Sequence, residues 1–575
     1  MKKVLATFLL FALAGCSQNI NSVHWPENKQ EALSSGITIP SVLTAQQEKN
    51  LAVLCRVWGF LKYFHPKVAT GVFDADKALF AIMPDVLQAS NTDSLDLVLY
   101  KWIEELGEVV SNPSQTNTNN AIVEPGMQWL RKDSIIGGKL RPQLLHIFNN
   151  RSSGEKYYGR LFYGINNPDF SKEFKYAKVR GEDGGMRMLS LFRYWNAIEY
   201  FFPSKYLTAD NWDMVLEKFI PLFVTAKTDS SYRMTVCRLA ASIHDTHAMG
   251  TNGDSGTQSY LGKYTLPVAM ADIEGHMTVL FHRSAAFQMK SSLKPGDRIL
   301  AINGVAIEKM IDSARPYVSA SNPAAFKFYA MWKICRSYYI ENKLMIERGG
   351  RKTEETVSYV AISSLDYDDR RYYTDVYPMY QKMADNIGYI NLGKIQAKSL
   401  DGIFREFEHT SGLVIDIRNY PSQFMPFALG KYLKPTPSPF ALFSSSDPQL
   451  PGRFILKQPI SNGENNPGYY KGKIVILVNE FSISQSEYTA MALRTAPNAI
   501  VMGSQTGGAD GDVSMVYLPG GMVSLISGLG VYYPDKRATQ GIGIVPDIEV
   551  RPTLKGITEG TDEVLERAIQ YIRNK

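Results

Sequence analysis

Residues 473–497 read KIVILVNEFSISQSEYTAMALRTAP, and the fold turns on how this stretch is read. Residues 474–478 form an unbroken apolar run, the mark of a strand buried on both faces. Asn479, Glu480 and Phe481 lead out of it, and serines follow at alternate positions: Ser482, Ser484 and Ser486. A helical pattern then sets in, with Tyr488, Met491 and Leu493 on one side and small residues between them. Ser486 reads as the helix N-cap. Glu487 adds negative charge in the first turn, where the helix dipole favours it. A serine at a turn from buried strand to helix presents its hydroxyl at the sheet edge. The N–H beside it points outward from a helix N-terminus, which is the electrostatics an acyl-transfer oxyanion needs. On this stretch alone, an ordinary strand–turn–helix connection with a serine-rich cap explains the pattern equally well.

Around this stretch, strands alternate with helices. Strand-like runs lie at 386–392, 412–419, 473–479 and 499–503, and helical patterns lie near 400–408, 425–433 and 486–495. The alternation predicts an α/β core with a largely parallel sheet. A β-rich segment (515–534) and a closing helix (560–574) end the chain, and 361–384 reads as a connector into this core.

The whole chain has 575 residues, enough for roughly three to five domains. Hydrophobic content of 45% and charge of 21% are those of an ordinary globular protein. The net charge of +6 is spread without a basic stripe, so the composition gives no support to nucleic-acid binding. At the N-terminus, Lys2 and Lys3 precede an apolar run (4–13) and then Ala14-Gly15-Cys16, the pattern of an export signal too short to span a bilayer permanently. LAGC resembles a bacterial lipobox, which implies lipidation of Cys16 and attachment to a membrane of the cell envelope, the outer membrane being the expectation. Residues 17–44, rich in Ser, Asn, Gln and Pro, read as a flexible tether. Cys55, Cys237 and Cys335 sit in apolar contexts without CxxC spacing, which predicts buried free thiols.

The region 45–260 is helical and repeats itself. LAVLCRVWGFLKYFHP ends at Pro66 and LSLFRYWNAIEYFFP at Pro203. The pairs Trp58/Trp195, Pro66/Pro203 and Pro84/Pro221 share one offset of 137 residues, so the helical unit is duplicated. Its aromatic stripes are most economically core packing. The second copy runs into RLAASIHDTHAMG (238–250), which holds His244, Asp245, Thr246 and His247. The spacing is not that of a zinc site, and His247 is better suited to act as a general base. Residues 262–360 change to short β-like runs around LKPGDRILAINGVAI (293–307). That run resembles the core of a PDZ domain, which implies capture of an extended peptide by strand addition.

The order of helical region, PDZ-like module and α/β core with a Ser-x-Ser-x-Ser-Glu turn resembles the S41 serine peptidases, the family of the C-terminal processing and tricorn-type proteases. The resemblance spans roughly 235–575. Its landmarks are DTH (245–247), LKPGDRILAING (293–304), LVIDIRNYPS (413–422), SISQSE (482–487), VMGSQTGG (501–508) and GIGIVPDIEV (541–550). It implies a multidomain α/β protein with a crotonase-like peptidase core at 385–575. Ser484 is then the nucleophile and His247 the general base, with Thr246, Asp245 and Gln540 as orienting residues. The oxyanion donors would be the N–H of Gln485 and one at Ser422. The substrate would be a polypeptide, with no metal or organic cofactor required.

Three departures bear on activity. Processing proteases carry a lysine base in a Gly-Lys-Gly turn, where this chain reads Gly508-Ala509-Asp510, so a Ser–Lys dyad is excluded there. Gln540 stands where tricorn-like members have glutamate. Ser422-Gln423 replaces a Gly-Gly pair in the oxyanion turn. These departures motivate one alternative, an S41-like protein that binds peptides or hydrophobic ligands without cleaving them; a second, a carbohydrate- or envelope-associated scaffold, rests only on the size of the duplicated helices.

Overall fold

The computed structural model describes residues 33–112, 120–132, 134–152, 154–208, 211–248, 261–289, 291–365 and 375–574. The export signal, Cys16 and most of the stretch read as tether lie outside them. Two compact units emerge. The first comprises Met1–Leu239, Ser444–Lys457 and Asp512–Leu529. The second comprises Ala240–Phe443, Gln458–Gly511 and Gly530–Lys575. The C-terminal core therefore lends two segments to the helical unit, and the DTH turn belongs with the peptidase core.

The helical repeat is present element by element. The first copy is α1 (Ala45–Phe64), α2 (Ala75–Gln88) and α3 (Thr92–Glu105). The second is α4 (Gly184–Phe201), α5 (Trp212–Thr225) and α6 (Asp229–Ala241). At the 137-residue offset α2 and α5 coincide at both ends, and α1 and α4 share their last residue. Equivalent side chains cap the middle helices, Asp74 for α2 and Asn211 for α5. A buried indole N–H must find an acceptor. Trp58 Nε1 donates to Ala75 O at 2.7 Å, and Trp195 Nε1 donates to Trp212 O at 2.8 Å, which is the same bond one repeat later.

The copies meet reciprocally. Arg56 pairs with Asp213 at 3.0 Å, and Arg193, the equivalent of Arg56, pairs with Asp76, the equivalent of Asp213. Each copy supplies the arginine to the other's aspartate, as across a two-fold axis. Gly59 and Asn196 are also equivalents, and they touch: a Cβ on Gly59 would fall 1.8 Å from Asn196 Oδ1. Only glycine allows that approach, which marks where the pseudo-axis passes.

Burial breaks the symmetry. Arg193 and Asp76 are interior, and Arg193 also meets Glu173 at 3.1 Å, whose other oxygen holds Lys62 at 2.6 Å. Asp213, by contrast, is 47% exposed at its side chain. Arg193→Met leaves a buried carboxylate short of its partner and should cost about 3–5 kcal/mol of unfolding free energy. Arg56→Met leaves Asp213 to water and should cost no more than about 1 kcal/mol. Denaturant titrations of the two variants measure the contrast.

The second unit begins with an antiparallel sheet of β1 (Val268–Ile273), β2 (His276–His282), β3 (Arg298–Ile302), β4 (Glu341–Arg348) and β5 (Arg351–Ser358), in the order β5-β4-β3-β2-β1. Helices α7 (Ile307–Ala314) and α8 (Pro323–Ile334) belong to this body. The expected Gly-Asp turn enters β3, and Asp297 fixes it by accepting from Lys294 N and from both arms of the Arg348 guanidinium.

The sheet of the C-terminal core follows, with β6 (Tyr380–Met383), β7 (Ile387–Asn391), β8 (Gly412–Asp416), β9 (Lys473–Val478), β10 (Ala499–Gly503) and β11 (Ile548–Glu549) in sequential order. All neighbours are parallel except β6 and β7. One face is covered by α9 (Leu400–Glu406), α10 (Pro426–Leu433) and α11 (Gln485–Leu493), the other by α12 (Glu563–Arg573). The exit of β8 is clamped electrostatically. Buried Arg418 reaches Asp416 at 2.6 Å and Asp562, the cap of α12, at 2.8 Å.

Candidate active site

β9 runs fully buried to Val478, and the chain then turns over 479–484 into α11. The turn sorts its three serines by exposure. Ser482 and Ser486 are fully buried, and their hydroxyls donate to Ile417 O and Asn419 O, both at 2.8 Å. Those bonds fasten the turn to the segment leaving β8. Ser484 alone is half-buried, and it adopts φ 58° and ψ −118°. A positive φ at a non-glycine residue stores strain, and such strain gathers where a side chain must be held out to react. Ser484, not Ser486, occupies the N-cap, with Glu487 three residues later. The Ser-x-x-Glu pattern was in the sequence and points to this register; a cap read at Ser486 passed over it.

Two backbone N–H groups of the neighbouring turns, that of Gln485, the first of α11, and that of Gln423, in the turn after β8, have no hydrogen bond among the described residues. The Gln485 side chain joins them by donating from Nε2 to Gln423 O at 3.0 Å. Ser422 differs from the sequence expectation. Its N–H is given to Leu392 O at 2.9 Å and its hydroxyl to Ile395 O at 2.6 Å, so it has no donor to offer an oxyanion. Neither Ser422 nor Gln423 has a positive φ, so this turn keeps its shape without the Gly-Gly pair.

The loop 506–510 carries Ser484 on one side and the DTH turn on the other. Ala509 O accepts from Ser484 N at 2.9 Å, and Gly507 N donates to Ser482 O at 2.9 Å. Gly507 O accepts from Thr246 Oγ1 at 3.0 Å. Thr246 thus staples the histidine's turn to the serine's loop, and a second staple comes from the α7–α8 connection. Ser321 Oγ accepts from Thr246 N at 2.9 Å, and Ser321 N donates to Thr246 Oγ1 at 2.9 Å. Asn322 caps α8 with its Oδ1 and donates from Nδ2 to Thr506 O at 2.7 Å.

His247 follows directly. Asp245 Oδ1 accepts from His247 N at 3.1 Å and lies 3.7 Å from His247 Nδ1. Gln540 Nε2 donates to the same oxygen at 3.1 Å. Gln540 therefore orients the aspartate, and the aspartate carries the negative charge beside the imidazole. Burial lowers the His247 pKa, with the Asp245 charge pulling the other way, so the ring is biased toward the neutral form a base requires.

Residues 442–550 match the family model of Peptidase family S41, and residues 274–358 match that of the Bacteroidetes, Peptidase, S41 family, N-terminal domain. The chain contains a peptidase family S41 domain. That match supports a serine peptidase. A search of the curated proteins gave no match. Among solved structures, mature CPAF complexed with lactacystin is similar at TM-score 0.53 and 14% identity, over 68% of this chain and 99% of that one. Mature CPAF gives 0.54 and 14%, over 68% and 98%. The photosystem II D1 C-terminal processing protease gives 0.38 and 16%, over 66% and 98%. The likeness to CPAF is one of fold.

Beneath the turn that carries Ser484 lies one further carboxylate. Glu487 is fully buried, and four groups donate to it. Oε1 accepts from Gly508 N at 2.8 Å and from Thr506 Oγ1, and Oε2 accepts from Ser484 N and Ala509 N, each at 3.1 Å. Burial outweighs those bonds and raises its pKa from 4.5 to about 7. Between those values the folded chain holds a proton that the unfolded chain has released, so stability falls as pH rises through the window. The wild type should lose roughly 3 kcal/mol relative to Glu487→Gln between pH 4.5 and 7. Urea unfolding of both proteins at each pH measures it, and a pH-independent difference would rule the shift out.

Proposed function

We propose that this S41 peptidase hydrolyses polypeptides through an acyl-enzyme on Ser484, with His247 as general base. The observation that carries the reading is Ser484 itself: strained, half-exposed, at the head of a helix, and flanked by the two open N–H groups of Gln485 and Gln423. Ser484 Oγ attacks the scissile carbonyl as His247 takes its proton, and the carbonyl oxygen receives the two N–H donors. The C–N bond then breaks, and His247 returns the proton to the leaving amine. Water, deprotonated by the same imidazole, hydrolyses the ester. Asp245 holds the ring and stabilises the imidazolium by charge, while Gln540 and Thr246 hold Asp245 and its turn.

The sheet of β1–β5 is taken as the PDZ-like module that presents the polypeptide, and the 385–575 core as crotonase-like. Cys16 is taken as the lipid anchor that holds the enzyme at the cell envelope. A second reading, a binding protein without turnover, draws on Ala509 and Gln540, which stand where the resembling peptidases carry a lysine or a glutamate.

A fluorophosphonate probe separates the two readings. The protein without its first 32 residues should label, and Ser484→Ala and His247→Ala should abolish labelling. Failure of folded wild type to label, even with a peptide present, would favour the binding protein. Asp245→Asn should lower kcat by about 10²–10⁴ with little change in KM. Because burial depresses the His247 pKa, the acid limb of kcat/KM should have its midpoint below 6.5. In the full chain, Cys16→Ala should move the protein from the membrane to the soluble fraction.

A further inference from the structure

Five aromatic rings gather on one side of the nucleophile turn, and the catalytic scheme leaves them without a role. Tyr488 lies one helical turn beyond Ser484, and its N–H donates to Ser484 O at 3.0 Å. Its ring stacks on Phe424 at 5.8 Å and 15°, and it meets Phe440 at 5.0 Å and Phe443 at 5.6 Å. Phe427 completes the group, 5.9 Å from Phe424 and 6.0 Å from Phe440. Tyr488 and Phe440 are buried, whereas Phe424, Phe427 and Phe443 are half-buried against the same core. The cluster therefore has a packed floor and a rim that keeps some contact with solvent.

Its position gives it meaning. Phe424 directly follows Gln423, and Tyr488 rises from the helix that Gln485 begins, so each open N–H belongs to a segment that also carries a ring of the wall. The Gln485–Gln423 hydrogen bond locks those two segments together. A carbonyl oxygen held by both N–H groups places the side chain of its own residue among the nearest groups, and those groups are aromatic. Charged side chains are absent from these five positions, so a charged residue entering here would be desolvated without compensation.

We propose that Phe424, Phe427, Phe443 and Tyr488 form the specificity surface for the residue whose carbonyl is attacked, and that it takes a large apolar side chain, aromatic or branched aliphatic. The assignment rests on Ser484 being the nucleophile. A large apolar group buries its surface against the half-buried rings, whereas alanine reaches little of it. Discrimination between substrates that differ in apolar size runs to roughly 10–200-fold.

The test uses peptidyl phosphonate diphenyl esters that differ only in the side chain at the attacked position: Phe, Leu, Ala or Asp. Wild type should react with the Phe and Leu probes at least about tenfold faster than with the Ala probe, and slowest with Asp. Phe424→Ala should shrink the Phe:Ala rate ratio by about tenfold, and Phe424→Leu, which keeps an apolar rim, should preserve the Leu:Ala ratio. Equal rates for Phe and Ala, faster reaction with Asp, or a ratio unmoved in Phe424→Ala would overturn the wall while labelling still required Ser484. Absence of reaction with all four probes and with the plain fluorophosphonate would instead overturn the nucleophile, and the wall with it.

Discussion

A buried carboxylate must be satisfied from all sides, and at Glu487 that requirement builds the site. Its four donors come from Ser484 and from Thr506, Gly508 and Ala509. Through one side chain, the loop after β10 is tied to the first turn of α11, and Ser484 is held in a backbone conformation its own preferences oppose. The cage leaves no spare room. A Cβ on Gly543 would sit 2.6 Å from Glu487 Oε1 and 2.4 Å from Thr506 Oγ1, so the segment closing over the cage has to be glycine there. The cost is a carboxyl whose charge is desolvated, and the return is an elbow fixed before substrate arrives.

The loop organised by Glu487 also receives the DTH turn. Thr246 docks it onto Gly507 O, and Ser319, Ser321 and Asn322 clasp it from the connection between α7 and α8. Ser319 Oγ donates to Asp245 O at 2.7 Å, and Asp245 N donates back to Ser319 Oγ at 3.2 Å. Asn322 spends one end of its amide on capping α8 and the other on Thr506 O. The helix of the β1–β5 body and the histidine turn are therefore set by the same few polar atoms, so a shift of α8 moves groups that touch the turn holding the base.

The strands of the core were legible because a parallel sheet covered on both faces leaves continuous apolar runs, and 474–478 and 412–416 are such runs. The helical repeat was legible because duplication preserves indole and proline positions. Its reciprocal arginine–aspartate pairs were not, since a symmetry axis has no one-dimensional signature; only after folding do Arg56 and Asp213 meet. The choice among three serines followed from the family pattern. The structural reason for that choice, that Ser482 and Ser486 spend their hydroxyls on carbonyls beyond β8, depends on long-range contacts. The same applies to Ser422. Its side of the oxyanion turn could be located from the sequence, but which N–H stays open depends on where Leu392 O falls. The clustering of Phe424, Phe427, Phe440, Phe443 and Tyr488 is likewise invisible in a pattern that reads each ring as ordinary core.

Gln540 looks like a loss when only the sequence is considered, because an amide cannot balance an imidazolium. The charge it lacks is supplied one step away. Asp245 Oδ1 lies 3.7 Å from His247 Nδ1 and accepts from Gln540 Nε2 at 3.1 Å. A glutamate at 540 would bring a second carboxylate to that oxygen, and two carboxylates at such range cannot both ionise in a buried site. One would keep a proton, and the site would again hold a single negative charge. With an amide at 540, the charge rests on Asp245, in the turn that carries the base, and the amide spends its N–H on holding it there. The substitution at 540 and the aspartate at 245 are therefore read together, as one arrangement that keeps a lone carboxylate on the histidine's own loop.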